Sequence, residues 1–166
     1  MAQQLDLETQ LGHALMARGW TLAVAESCTG GLVGDRITNV SGSSDYYNGA
    51  VVAYAYQAKV DLLGVSWDTL NVHGAVSAET VREMAAGARK ALKVDIAVSI
   101  SGIAGPTGGT PEKPVGTVWF GLETPDGAWT RRYQFDGNRI EVKQQAAAAA
   151  LQFVLDYLED ELGRSD

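Results

Sequence analysis

The chain has 166 residues, 46% of them hydrophobic and 20% charged, which is enough for one substantial core but not two, so a single domain over residues 1–166 is expected. A formal net charge of −7 with no basic cluster argues against a groove for nucleic-acid phosphates. The lone cysteine, Cys28, excludes an internal disulfide and points to a reducing cytoplasmic home.

No basic segment followed by an apolar run opens the chain, and no stretch has the length of a membrane span, so neither export nor membrane contact is expected. Cys28 and the distant His13 and His73 do not form a zinc-ligand set, and the sequence calls for no metal and no cofactor.

From Leu5 to Arg18, apolar residues including Leu7, Leu11 and Leu15 recur at helical spacing, and Gly19 follows as a helix-ending glycine. His13 reads as an ordinary surface or half-buried member of this helix. Trp20 to Ala25 predicts the first strand, and Gly30 to Val40 the next helix. Between them, Glu26-Ser27-Cys28-Thr29-Gly30-Gly31 forms a strand-to-helix turn of small polar residues and glycines. Such a turn exposes a hydroxyl at the sheet's edge and leaves the amides of the next helical turn for a developing oxyanion. This makes Ser27 the candidate nucleophile, with Thr29, Gly30 and Gly31 beside the substrate. Ser27 or Thr29 also reads as a simple cap of the next helix.

Ser41 to Asp45 is a turn cluster, and Gly49 to Tyr54 predicts a buried strand. A short helix from Tyr56, stopped at Gly64, would hold Lys59 near that strand's end, where a lysine also reads as a solvated surface charge. Ser77 caps a helix running to Leu92, and Val94 to Ser101 predicts a strand. The loop from Gly102 to Pro111 is rich enough in glycine for a phosphate or ribose to approach its backbone, or to serve as a plain connection. Val115 to Leu122 and Trp129 to Phe135, separated by Pro125-Asp126-Gly127, predict an antiparallel hairpin. Asn138 opens a long helix ending near Gly163. These elements predict an α/β class, a three-layer α/β/α fold with a mixed, mostly parallel sheet that includes the C-terminal hairpin.

Three stretches taken together, Ala25-Glu26-Ser27-Cys28-Thr29-Gly30-Gly31, His73-Gly74-Ala75-Val76-Ser77, and Ser99 to Pro106 with Lys113-Pro114-Val115-Gly116-Thr117, resemble the CinA C-terminal domain family. The resemblance spans nearly the whole chain and is closest to the family's stand-alone amidases. It implies hydrolysis of the carboxamide of nicotinamide mononucleotide, giving nicotinate mononucleotide and ammonia, a step of pyridine-nucleotide salvage and NAD metabolism. It further implies a serine hydrolase without a histidine, in which Ser27 is the nucleophile and Lys59 and Tyr54 move protons, with Tyr56 two residues away as the other tyrosine to consider.

Chemistry sets conditions on that set. To act as a base Lys59 must be neutral, which demands burial or a nearby cation. The substrate joins a pyridinium to a phosphate, so the site needs a cation or free amides. Arg139, at the start of the last helix, is the first candidate for the phosphate, the backbone from Gly102 to Gly105 the second and Lys113 the third. Cys28 as nucleophile would lack a histidine and lie one position past the turn's apex. A different class of function, a non-catalytic nucleotide- or partner-binding module, is the alternative, and a homo-oligomer is compatible with so small a domain.

Overall fold

The computed structural model describes residues 4–163. Its elements are α1 (Leu7–Arg18), β1 (Leu22–Glu26), α2 (Leu32–Thr38), β2 (Tyr47–Val52), α3 (Tyr56–Leu63), α4 (Trp67–His73), α5 (Ala78–Leu92), β3 (Ile96–Gly102), β4 (Thr117–Thr124), β5 (Gly127–Gln134) and α6 (Arg139–Leu158). They form an α/β structure around one five-stranded sheet in the order β2-β1-β3-β4-β5. β2, β1 and β3 run parallel, while β4 and β5 add antiparallel as the predicted hairpin.

Alternation along the two central strands sorts the sheet's faces. Leu22 and Val24 of β1 and Ile96, Val98 and Ile100 of β3 join one core with α1, α2 and α6, whereas Ala23, Ala25 and Ala97 join another with α3, α4 and α5. The first face is built from large side chains, Phe120, Leu122, Leu151 and Phe153 among them. On the second, the strands contribute small ones, Ala23, Ala25 and Ala97. Gly121 lies under Val81 of α5 so closely that an added Cβ would overlap the Val81 carbonyl, and the Ser99 hydroxyl donates to that same oxygen.

Local chemistry accounts for the helix ends. The Asp6 carboxylate accepts from the Thr9 N–H at 2.8 Å, and Gly19 closes α1 with φ 66°. Asn138 and Glu141 form a reciprocal capping box, at 3.0 and 2.8 Å, that fixes the first turn of α6 and so the root of Arg139.

Two local expectations change. β2 is an edge strand that begins at Tyr47 and alternates half-buried with exposed residues, so it is not the buried strand expected from Gly49 to Tyr54. Tyr54 lies beyond its end. The helix α4 was not foreseen, because Leu70 alone among its seven residues is buried and no apolar period shows. Its one signal was Ser66, whose hydroxyl accepts from the Asp68 N–H at 3.1 Å.

The packing of α3 on α5 depends on Gly87, where a Cβ would overlap the carbonyl of Leu63 at the end of α3. Gly87→Ala is expected to lower stability by about 1–3 kcal/mol, the usual cost of overpacking, as a fall in Tm. Since α3 also carries Lys59, activity should fall with it.

Candidate active site

β1, β2 and β3 all end at one edge of the sheet, and β1 is where the chain switches sides, since β2 and β3 flank it. Such a switch point opens a crevice beyond the strands' carboxyl ends. A cleft of about 330 Å³ lies there, with Ser27, Cys28, Tyr54, Lys59, Gly105 and Arg139 in its wall.

Ser27 immediately follows β1. Its N–H still belongs to the sheet, donating to Ile100 O at 3.0 Å, and its carbonyl accepts from Gly30 N–H at 3.1 Å, which closes the turn. Lys59 sits on α3, which starts so soon after β2 that its side chain folds back over the strand's end. Lys59 is 1% exposed. Its Nζ lies 3.0 Å from Ser27 Oγ and donates to Ala53 O at 2.8 Å and Tyr54 O at 2.9 Å.

Burial disfavours the charged amine and lowers its pKa from 10.5 to about 8. A neutral amine has two hydrogens, which the two carbonyls accept. Its lone pair is then left for the Ser27 hydroxyl proton. The Cys28 thiol is also buried, which pushes its pKa up to about 12 and keeps it protonated near neutrality.

Arg139 bridges two parts of the wall, donating to Gly105 O at 2.7 Å and to the Tyr54 hydroxyl at 3.1 Å. Tyr56 does not line the cleft. Its hydroxyl accepts from Ala75 N–H at 3.3 Å, and its ring leans on Trp67 with centroids 6.5 Å apart.

Of the other residues expected at the substrate, Gly102 lines the cleft but Thr29, Gly30, Gly31 and Lys113 do not. The amides expected to stay free for an oxyanion are partly taken. Gly30 N–H goes to Ser27 O, while the Thr29 hydroxyl and Gly31 N–H go to the Glu26 carboxylate at 2.6 and 3.2 Å. The Lys113 ammonium donates to His73 O at 2.6 Å.

Sequence reasoning passed over Glu26 and Lys143. Lys143 Nζ lies 4.0 Å from where a Cβ would stand at Gly30. Its signal was its position, one turn after Arg139 on the same face of α6. Among the described residues no three His, Cys, Asp or Glu side chains gather to hold a metal ion, and no helix is long and apolar enough to cross a membrane.

Residues 4–158 match the family model for the CinA C-terminal domain. The chain belongs to the CinA C-terminal domain family. Among its relatives, the nicotinamide-nucleotide amidohydrolase PncC of Escherichia coli K12 is 53% identical over 152 residues, covering 91% of this chain and 92% of that protein. The protein of the same name from Enterobacter agglomerans is 51% identical over 151 residues, covering 90% and 92%. The crystal structure of a CinA superfamily protein from Klebsiella pneumoniae 700603 shares the fold with a TM-score of 0.89 and 39% identity, over 93% of this chain and 96% of that one. The CinA C-terminal domain match therefore takes in every element that borders the cleft, from β1 to α6.

Proposed function

We propose that this chain is an enzyme that hydrolyses the carboxamide of nicotinamide mononucleotide to nicotinate mononucleotide and ammonia, with Ser27 as nucleophile. The relatives' shared name supports the substrate. The observation that carries the chemistry is the 3.0 Å contact between Ser27 Oγ and the buried Lys59 amine, a nucleophile and base within hydrogen-bond reach. A module that only bound nucleotides would not need an amine desolvated against a hydroxyl.

In this mechanism neutral Lys59 takes the Ser27 proton as Oγ attacks the carboxamide carbon. The tetrahedral intermediate collapses when its nitrogen receives a proton, from Lys59 directly or through Tyr54, and leaves as ammonia. Water, deprotonated by the same amine, then hydrolyses the acyl-serine and releases the carboxylate. Arg139, already held by Gly105 O, keeps further N–H groups for the phosphate, and Lys143 adds a second cation one helical turn away.

Incubation of the purified protein with nicotinamide mononucleotide should release ammonia and nicotinate mononucleotide in equal amounts. Binding without ammonia release would favour the non-catalytic module.

Arg139→Ala should raise KM for the mononucleotide about tenfold or more, because a charged hydrogen bond remote from the reacting carbon contributes equally to ground and transition states. Nicotinamide riboside, which lacks the phosphate, should show no matching rise. Any change in kcat common to both substrates would report the lost support for Tyr54.

A further inference from the structure

Glu26 closes β1 directly before Ser27 and is fully buried, at 0% exposure. A carboxylate beside a nucleophile invites a role in proton transfer. Its contacts are of another kind, because every donor to it belongs to the turn or to the start of α2. Oε1 accepts from the Thr29 hydroxyl at 2.6 Å, Gly31 N–H at 3.2 Å and Val33 N–H at 3.0 Å, and Oε2 accepts from Gly34 N–H at 3.1 Å. An ionised carboxylate offers about four lone-pair sites, so these four neutral donors fill it.

We propose that Glu26 is the positioning residue of the nucleophile turn. It ties three amides and a hydroxyl to the end of β1 and thereby holds residues 27–31 in the conformation that sets Ser27 Oγ against Lys59 Nζ. Two consequences follow for the site. The Cys28 N–H, which is bound neither to a backbone carbonyl of the turn nor to Glu26 and belongs to a residue in the cleft wall, is the turn's amide for the oxyanion. The Gly31, Val33 and Gly34 amides are taken by an internal anion, so the substrate's phosphate is received on the α6 side, at Arg139 in the cleft wall.

The inference rests on Ser27 being the nucleophile, and the test separates the two ideas by measuring Ser27 in two ways. One is steady-state turnover of nicotinamide mononucleotide, and the other is the rate of covalent labelling of Ser27 by a fluorophosphonate, followed by intact mass, which requires no knowledge of the substrate. In Glu26→Gln the side-chain amide turns an N–H toward a backbone N–H, so at least one of the four bonds is lost and the turn shifts. Glu26→Gln is expected to lose about 100-fold in kcat and a comparable factor in labelling rate, with KM changed less than threefold, since a displacement of about 1 Å costs that much in reactivity.

Thr29→Val, which removes one donor and keeps the shape, should lose about tenfold in both, and Thr29→Ser should restore both. If Glu26→Gln fails to fold, the Thr29 pair decides. Unchanged kcat and labelling in Glu26→Gln, or in Thr29→Val where that pair decides, would overturn the proposal. So would a loss confined to KM, which would make Glu26 a substrate-binding acid. Labelling without ammonia release in the wild type would remove the amidase reading while leaving the positioning role to be decided by the labelling rates. A wild-type Ser27 that neither reacts nor turns over leaves no nucleophile to position, and overturns it as well.

Discussion

The Ser27→Ala protein is expected to fold, bind nicotinamide mononucleotide and release no ammonia above background, a loss in kcat on the order of 10⁴-fold or more. The turn does not depend on the hydroxyl. Its geometry is fixed by the Ser27 N–H on Ile100 O, the Gly30 N–H on Ser27 O and the bonds to Glu26, all of which survive the substitution. What disappears is Oγ, whose side-chain partner is the Lys59 amine. A group that acts only by forming the acyl bond affects kcat and kcat/KM together, so substrate affinity measured by titration should stay near the wild-type value. Cys28→Ala should retain turnover, because a thiol held protonated up to about pH 12 is a poor nucleophile near neutrality. Full activity in Ser27→Ala combined with loss in Cys28→Ala would reverse the assignment.

Lys59→Met should fall about 10²–10⁴-fold in kcat, the range of a lost general base, and Lys59→Arg nearly as far. Arginine keeps the charge but does not release a proton at working pH, so it separates proton transfer from simple electrostatic support. Wild-type kcat/KM should rise with pH through about 8, the value to which burial lowers the amine, and then level off. The same shift has a consequence for stability, read from chemical unfolding of wild type and Lys59→Met. Below about pH 8 the lysine is protonated in both folded and unfolded chains, and the folded state bears the full cost of a buried charge. Between about 8 and 10.5 the folded chain has released a proton that the unfolded chain still holds, so wild-type stability rises with pH relative to Lys59→Met, and above that window the difference is constant. Substantial turnover by Lys59→Arg would end the general-base role.

Most of the fold was legible because its signals are local. The apolar spacing and Gly19 of α1, the Pro125-Asp126 turn of the hairpin and the Asn138 cap of α6 each involve neighbours in the chain. α4 escaped because a helix with one buried residue leaves no period, and β2 was misjudged because its run of small and β-branched residues resembles a buried strand whether or not a neighbour covers it. The site was less legible. Lys59 and Ser27 lie 32 positions apart and meet only through the parallel pairing of β1 with β2, so it was the family resemblance that put them in one reading. Ser27, Tyr54, Lys59 and Arg139 do meet at one cleft. The turn amides were misread because a buried glutamate looks, in one dimension, like any strand-end charge, and nothing short of the folded turn tells which donors it takes.

The unequal faces of the sheet also decide how this protein can drift. On the face toward α1, α2 and α6, bulky side chains such as Phe120, Leu122, Leu151 and Phe153 can be exchanged by compensating changes that keep their summed volume. On the face toward α5, where Ala23, Ala25, Ala97, Ser99 and Gly121 let the helix descend onto the strands, nearly every substitution is an enlargement and has nothing to trade against. That is the side on which Lys59 hangs. The amine's distance from the serine is thus guarded by an absence of bulk, and a change that thickens this layer weakens the chemistry and the fold together.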